Sequence, residues 1–123
     1  MKRAIGRLRN YLNAVANKQD YLARLQVAIE HLHDCCAIGL KSVYVEEIFR
    51  GELVWHGMVE VFDLLGHPKA KRAYGWSHPD DKDNKTERFV TVLEIPPVVS
   101  PETAVKMSIY GDAKTGKITP SKP

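Results

Sequence analysis

The sequence predicts an α+β domain: an N-terminal helix packed on an antiparallel four-stranded meander, with a C-terminal helix. Three observations carry this. Residues 2–36 repeat apolar side chains every seven positions. From Ser42 the pattern changes to β-branched and aromatic runs separated by turn residues. Ser100-Pro101-Glu102 then opens a second helical stretch. Nothing helical separates the strands, so a parallel nucleotide-binding sheet is not expected.

Leu8, Val15, Leu22, Ile29 and Cys36 form the seven-residue row, with Tyr11, Leu25 and Leu32 at the companion position three further on. Lys18 breaks that second row inside Asn17-Lys18-Gln19-Asp20, a stretch rich in capping residues. Two readings stay open. One long helix carries a polar interruption, or a short basic helix ends near Ala16 and a second starts after Asp20. Asp20 is a good N-cap for YLARLQVAIEHLHDCC, which favours the second reading, and Gly39 is expected to end that helix. The chain then divides into a basic helical segment 1–19, an α+β core 20–112 and a tail 113–123. The tail has little to bury and is expected to be flexible.

SVYVEEIF and ELVWHGMVEVF flank Arg50-Gly51, which reads as a tight hairpin turn. Leu53, Trp55, Gly57, Val59 and Val61 share one face of the second strand; Val54, His56, Met58, Glu60 and Phe62 share the other. The first row is more apolar and is expected to face the helix. Val54, Met58 and Phe62 in the second row also need cover. Gly66-His67-Pro68-Lys69 is a turn. AKRAYGW is the third strand, with Arg72, Tyr74 and Trp76 on one side. HPDDKDNKTE reads as an exposed loop, and RFVTVLEI as the fourth strand, stopped by Pro96-Pro97. Ser100 caps the last helix, which is expected to stop at Gly111. This order is similar to cystatin-like and other cone-shaped folds, in which a long helix lies in a curved sheet. That similarity carries no functional residues.

A chain of 123 residues is one ordinary domain, long enough for a real core. Hydrophobic residues at 44% and charged residues at 27% argue against wholesale disorder. No apolar run approaches the roughly 20 residues of a membrane span. The basic N-terminus lacks the apolar stretch of a secretory signal, so the expected location is cytoplasmic. The net charge of +3 and pI of about 8.9 sit at the margin for nucleic-acid binders, and charge alone decides nothing. Cys35 and Cys36 are adjacent, which disfavours a disulfide and favours reduced thiols.

The sequence holds no phosphate loop, nucleophile elbow or HExxH helix, and no cofactor is expected. His31, His33, Cys35 and Cys36 are zinc-type donors at poor spacing, so no metal is expected. His56 and Glu60 lie four apart on one strand face, and Arg72, Tyr74 and Trp76 lie on the next strand. Together they form the candidate ligand-binding set, suited to acid–base chemistry or a small polar ligand. No catalytic residue is singled out. The competing and favoured reading makes Glu60 and Arg72 an ordinary cross-strand ion pair. Lys69, Lys71 and Arg72 beside Tyr74 and Trp76 suit single-stranded nucleic acid, with Lys2, Arg3, Arg7 and Arg9 adding to the field. The acidic loop close by argues against it, and lysines on edge strands discourage sheet association.

The same stretch carries a resemblance. WHGMVEVFDLLGHPKAKRAYGWSH resembles a segment of short uncharacterised bacterial proteins, including reading frames of mobile gene cassettes, over roughly Val54 to Gly111. The resemblance implies a small bacterial cytosolic protein and attaches no activity or residue role. The second apolar row points first to a non-enzymatic module that self-associates as a homodimer, through a sheet face or the helical seam. The alternatives are a small-molecule-binding protein or acid–base enzyme with a pocket over the sheet, and a nucleic-acid-binding accessory protein, which is disfavoured.

Overall fold

The computed structural model describes residues 2–79, 82 and 86–111, without the side chains of residues 2–8 and 11. In chain order α1 spans Lys2–His33, β1 Cys36–Phe49, β2 Glu52–Leu65, β3 Arg72–Pro79, β4 Glu87–Leu93 and α2 Pro101–Tyr110. The strands form one antiparallel sheet in the order β1-β2-β3-β4, the expected meander. The expected loop is shorter than its polar sequence implied, because β3 continues to Pro79 and β4 begins at Glu87. Residues 80, 81 and 83–85 of that loop, and the tail 113–123, lie outside the described residues.

α1 has 32 residues, about 48 Å of helix at 1.5 Å each. It runs unbroken through Asn17–Asp20, where a break was the favoured reading. The polar side chains there work along the helix flank instead of capping it. Asp20 accepts from Arg24 Nε one turn on, at 3.0 Å, and Lys18 reaches Glu60 of β2. The helix ends at His33, not at Gly39. Asp34 takes a positive φ of 52°, which Asp tolerates better than most residues, and this reverses the chain. Pairing of residues 36–39 with 62–65 then claims the segment for β1.

The β1–β2 turn places Arg50 and Gly51 at φ of 53° and 81°, the pattern whose twist matches the flanking strands. At the centre of the sheet both faces are covered. Val45, Val59, Val61, Tyr74 and Trp76 pack with Val98, Ala104 and Val105 on the α2 side. Phe62, Leu64, Ala37 and Ala73 pack with Leu25 and Ile29 of α1 on the other. The helix facing the first row is therefore α2, while α1 covers Phe62 of the second. Burying a side chain such as Leu25 or Ile29, both 0% exposed, is worth about 1.5–3 kcal/mol. Gly75 permits the approach: a Cβ there would lie 2.9 Å from Leu25 Cδ1.

This cover stops short of Val54 and Met58, which stay 45% and 44% exposed. The reason is topological. β2 registers with β3 only over Glu60–Asp63, so residues 44–58 form a two-stranded arm beyond the four-stranded part. α2 begins as expected. Ser100 caps it, Thr103 completes a reciprocal capping box, and Pro101 starts the first turn. Its end is fastened to β1 by Glu47, a buried carboxylate that accepts from Tyr110 Oη at 2.9 Å and Lys106 Nζ at 3.0 Å.

Candidate functional site

The five candidate residues divide between the two faces of the sheet. Glu60 registers with Gly75, Val61 with Tyr74, and Asp63 with Arg72. Strand alternation then puts His56 and Glu60 on the α1 side, and Arg72, Tyr74 and Trp76 on the α2 side. Arg72, Tyr74 and Trp76 share a face, as the sequence implied, but it is not the face of His56 and Glu60. His56 sits farther out, opposite Glu46 on the two-stranded arm, and is exposed.

Glu60 is 2% exposed and both its oxygens are engaged. Oε2 accepts from Lys18 Nζ at 2.8 Å, and Oε1 accepts from the Ser42 hydroxyl. Lys18 also stands 5.6 Å from the centre of the Tyr21 ring. A cavity of about 210 Å³ lies beside this group, lined by Leu22, Gly39, Leu40, Lys41 and Phe62. It lies against the irregularity between Gly39 and Lys41 in β1. The expected Glu60–Arg72 pair is not made, because the residues point to opposite faces; Arg72 Nε pairs instead with Asp63 Oδ1 at 3.3 Å. Each Glu60 oxygen thus has one partner in a carboxylate closed off from solvent, and the Lys18 contact ties α1 to β2.

On the α2 side the aromatics belong to the core. Tyr74 is 2% and Trp76 3% exposed, so neither offers a ring face to a base. Trp76 meets Trp55 edge to face, with centroids 5.7 Å apart. The Tyr74 hydroxyl donates to Glu94, and burial first, then that carboxylate, push the phenol well above its usual range.

The HLHDCC run divides as well. His31 and Cys36 are exposed. Cys35 packs at the edge of the α1-side core, and burial, then the neighbouring Cys36, push its thiol up. His33 Nε2 lies 2.7 Å from Thr91 Oγ1, and its ring stands edge-on to His67 at 6.5 Å. Burial first, then His67, hold His33 below its ordinary value. His67 Nδ1 accepts from the Lys69 and Ala70 N–H groups at 3.0 and 2.9 Å, which shapes the β2–β3 turn. Among the described residues no three His, Cys, Asp or Glu side chains are grouped to hold a metal.

Sequence reasoning missed Lys18 and Ser42 as partners of Glu60, and the meeting of His33 with His67 and Thr91. Each brings together segments far apart in the chain, and no local spacing announces that. It also missed two apolar hollows. One, of about 450 Å³, lies between β4 and α2, lined by His33, Thr91, Ile95, Pro96, Val98 and Met107. The other, of about 480 Å³, lies between α1 and β4, lined by Ala23, Arg24, Val27, Ala28, His31 and Phe89. Both flank β4, an edge strand. Among the described residues no helix is long and apolar enough to cross a membrane. Comparison with protein-family models, with curated proteins and with solved structures finds no match to this chain.

Proposed function

We propose that this protein is a non-enzymatic binding module that self-associates as a homodimer. One observation carries the reading: large apolar side chains stay on the surface in patches instead of singly. Val54 and Met58 lie on the hairpin arm beside Tyr44, which is 55% exposed, and Leu12 and Val15 on the first half of α1 are 55% and 38% exposed. Val27 at 64% and Ile95 at 37% line the two hollows that flank β4. Gathered apolar surface of this kind marks a partner site. The ligand-binding and acid–base readings have less support, because His56 and Glu60 are separated by the sheet from Tyr74 and Trp76, and Glu60 is occupied by Lys18 and Ser42. The nucleic-acid reading loses its stacking platform with Tyr74 and Trp76 buried.

Sedimentation at micromolar concentration tests this. The expected result is a species at twice the chain mass of 13.9 kDa. A monomer that does not change with concentration removes the proposal.

A further inference from the structure

We propose that the self-association surface is the outer edge of β4. It pairs antiparallel with β4 of a second copy about a two-fold axis at Thr91, joining the two sheets into one. This rests on the self-association proposed above and assigns its surface.

The two sheet edges differ. β1 is irregular between Gly39 and Lys41 and again between Glu47 and Ile48, and it carries Lys41, Glu46 and Glu47. Bulges and charges are how natural edges avoid pairing with another chain. β4 registers with β3 without a break from Glu87 to Leu93, and Phe89–Leu93 holds neither charge nor proline. Among the described residues no strand pairs with its outer side.

The backbone of β4 is set for this. The Glu94 N–H donates to Arg72 O at 2.9 Å, so residue 94 aims its backbone groups inward, at β3. An antiparallel ladder alternates, so Val92 and Val90 also aim inward while Thr91 and Phe89 aim outward. A two-fold axis at Thr91 lets Thr91 of each copy exchange both bonds with the other, and brings Phe89 opposite Leu93. The Leu93 carbonyl already accepts from Ile95 N–H at 2.9 Å, and its second lone pair remains for the added strand.

The side chains match in that register. Val90 comes opposite Val92, Phe89 opposite Leu93, and Arg88 opposite Glu94, whose carboxylate also accepts from the Tyr74 hydroxyl. An axis at Val90 would instead set Arg88 against Val92. The flanking hollows point the same way. A two-fold axis perpendicular to the sheet keeps each copy's α1 on one face, side by side and antiparallel. Ala23 and Ala28 there are small, and the exposed Val27 gains cover. On the other face Ile95, 37% exposed, comes toward its counterpart. Strand addition takes its affinity from main-chain bonds and needs room for side chains on both faces, which these hollows supply.

Cysteine crosslinking separates the outcomes. In a Cys35→Ser, Cys36→Ser background, Thr91→Cys places two sulfurs across the axis. Residues of a hydrogen-bonded antiparallel pair have Cα atoms about 5.5 Å apart, within the roughly 4.4–6.8 Å that a disulfide spans. Mild oxidation is expected to move most of the chain to twice 13.9 kDa on a non-reducing gel, while Met58→Cys on the hairpin arm stays at the single mass. A parent that sediments as a dimer while Thr91→Cys stays uncrosslinked overturns the β4 assignment and leaves self-association standing. Crosslinking of Met58→Cys in place of Thr91→Cys does the same. A monomeric parent overturns both.

Discussion

Lys18 Nζ lies 2.8 Å from Glu60 Oε2, and the Glu60 side chain is 3% exposed while that of Lys18 is 44% exposed. A cation on the helix flank thus neutralises a carboxylate inside the sheet face. Removing only the cation leaves the charge buried with Ser42 as its remaining partner. Lys18→Met is expected to cost about 1–3 kcal/mol, against about 0–1 for an exposed pair. Adding Glu60→Gln should recover part of that, since a neutral amide still accepts from Ser42. Urea unfolding of the two single variants and the double variant reads the coupling. Strictly additive losses would show that the two residues do not act as a pair.

Gly75 of β3 lies directly against Leu25 of α1. Gly75→Ala would put a methyl 2.9 Å from Leu25 Cδ1, and Leu25 is fully buried. Overpacking of this kind costs about 1–3 kcal/mol. A lowered melting temperature is expected, restored in part by Leu25→Val in the same chain. An unchanged melting temperature for Gly75→Ala would mean that α1 is free to shift away.

Burial and His67 hold folded His33 below its ordinary value of 6.5. As the pH falls through that value, the unfolded chain takes up the proton first. Protonation therefore favours unfolding, and stability declines with pH below about 6.5 and is unaffected above it. His33→Asn removes the titrating group and should flatten this part of the profile. Melting temperatures between about pH 5 and 7.5 check it; parent and variant with the same slope would count against the assignment.

Tyr110 holds the end of α2 on β1 through the buried Glu47 carboxylate, at 2.9 Å. Hydrogen bonds to charged groups contribute about 1.5–3 kcal/mol. Tyr110→Phe keeps the ring beside Phe49, whose centroid is 5.3 Å away, and removes only the hydroxyl. A loss near the lower end of that range is expected, because Lys106 remains on Glu47. Loss of the fold altogether would mean that the hydroxyl does more than fasten the helix.

Local signals placed most elements correctly. The Arg50-Gly51 turn, the Ser100 cap with Pro101 and the Gly111 stop all depend on neighbouring residues, and all were legible, whereas the change to strand comes at Cys36 and not at Ser42. Asn17–Asp20 was misleading for a physical reason. Capping residues end a helix only when nothing farther away employs them, and here Glu60 and Arg24 engage Lys18 and Asp20. Gly39 misled in the same way, because pairing with β2 outweighed its tendency to end a helix.

The candidate site shows where local reading ends. Alternation along one strand is determined by the chain alone, so His56 with Glu60, and Arg72 with Tyr74 and Trp76, were each sorted to a common face. Whether two strands present those faces to the same side depends on register, and a shift of one residue reverses the answer. Pairing of Val61 with Tyr74 decided it and sent the two groups apart. The sequence by itself determined the order of elements, the turns, the caps and the two faces of each strand, because those depend on contacts a few residues away. Only the tertiary structure decided that α1 and α2 cover opposite faces, that Glu60 belongs to Lys18 and Ser42, and that β4 is the unblunted edge. Each of those follows from which distant segments meet, and the hydrophobic effect that drives their meeting has no direction of its own.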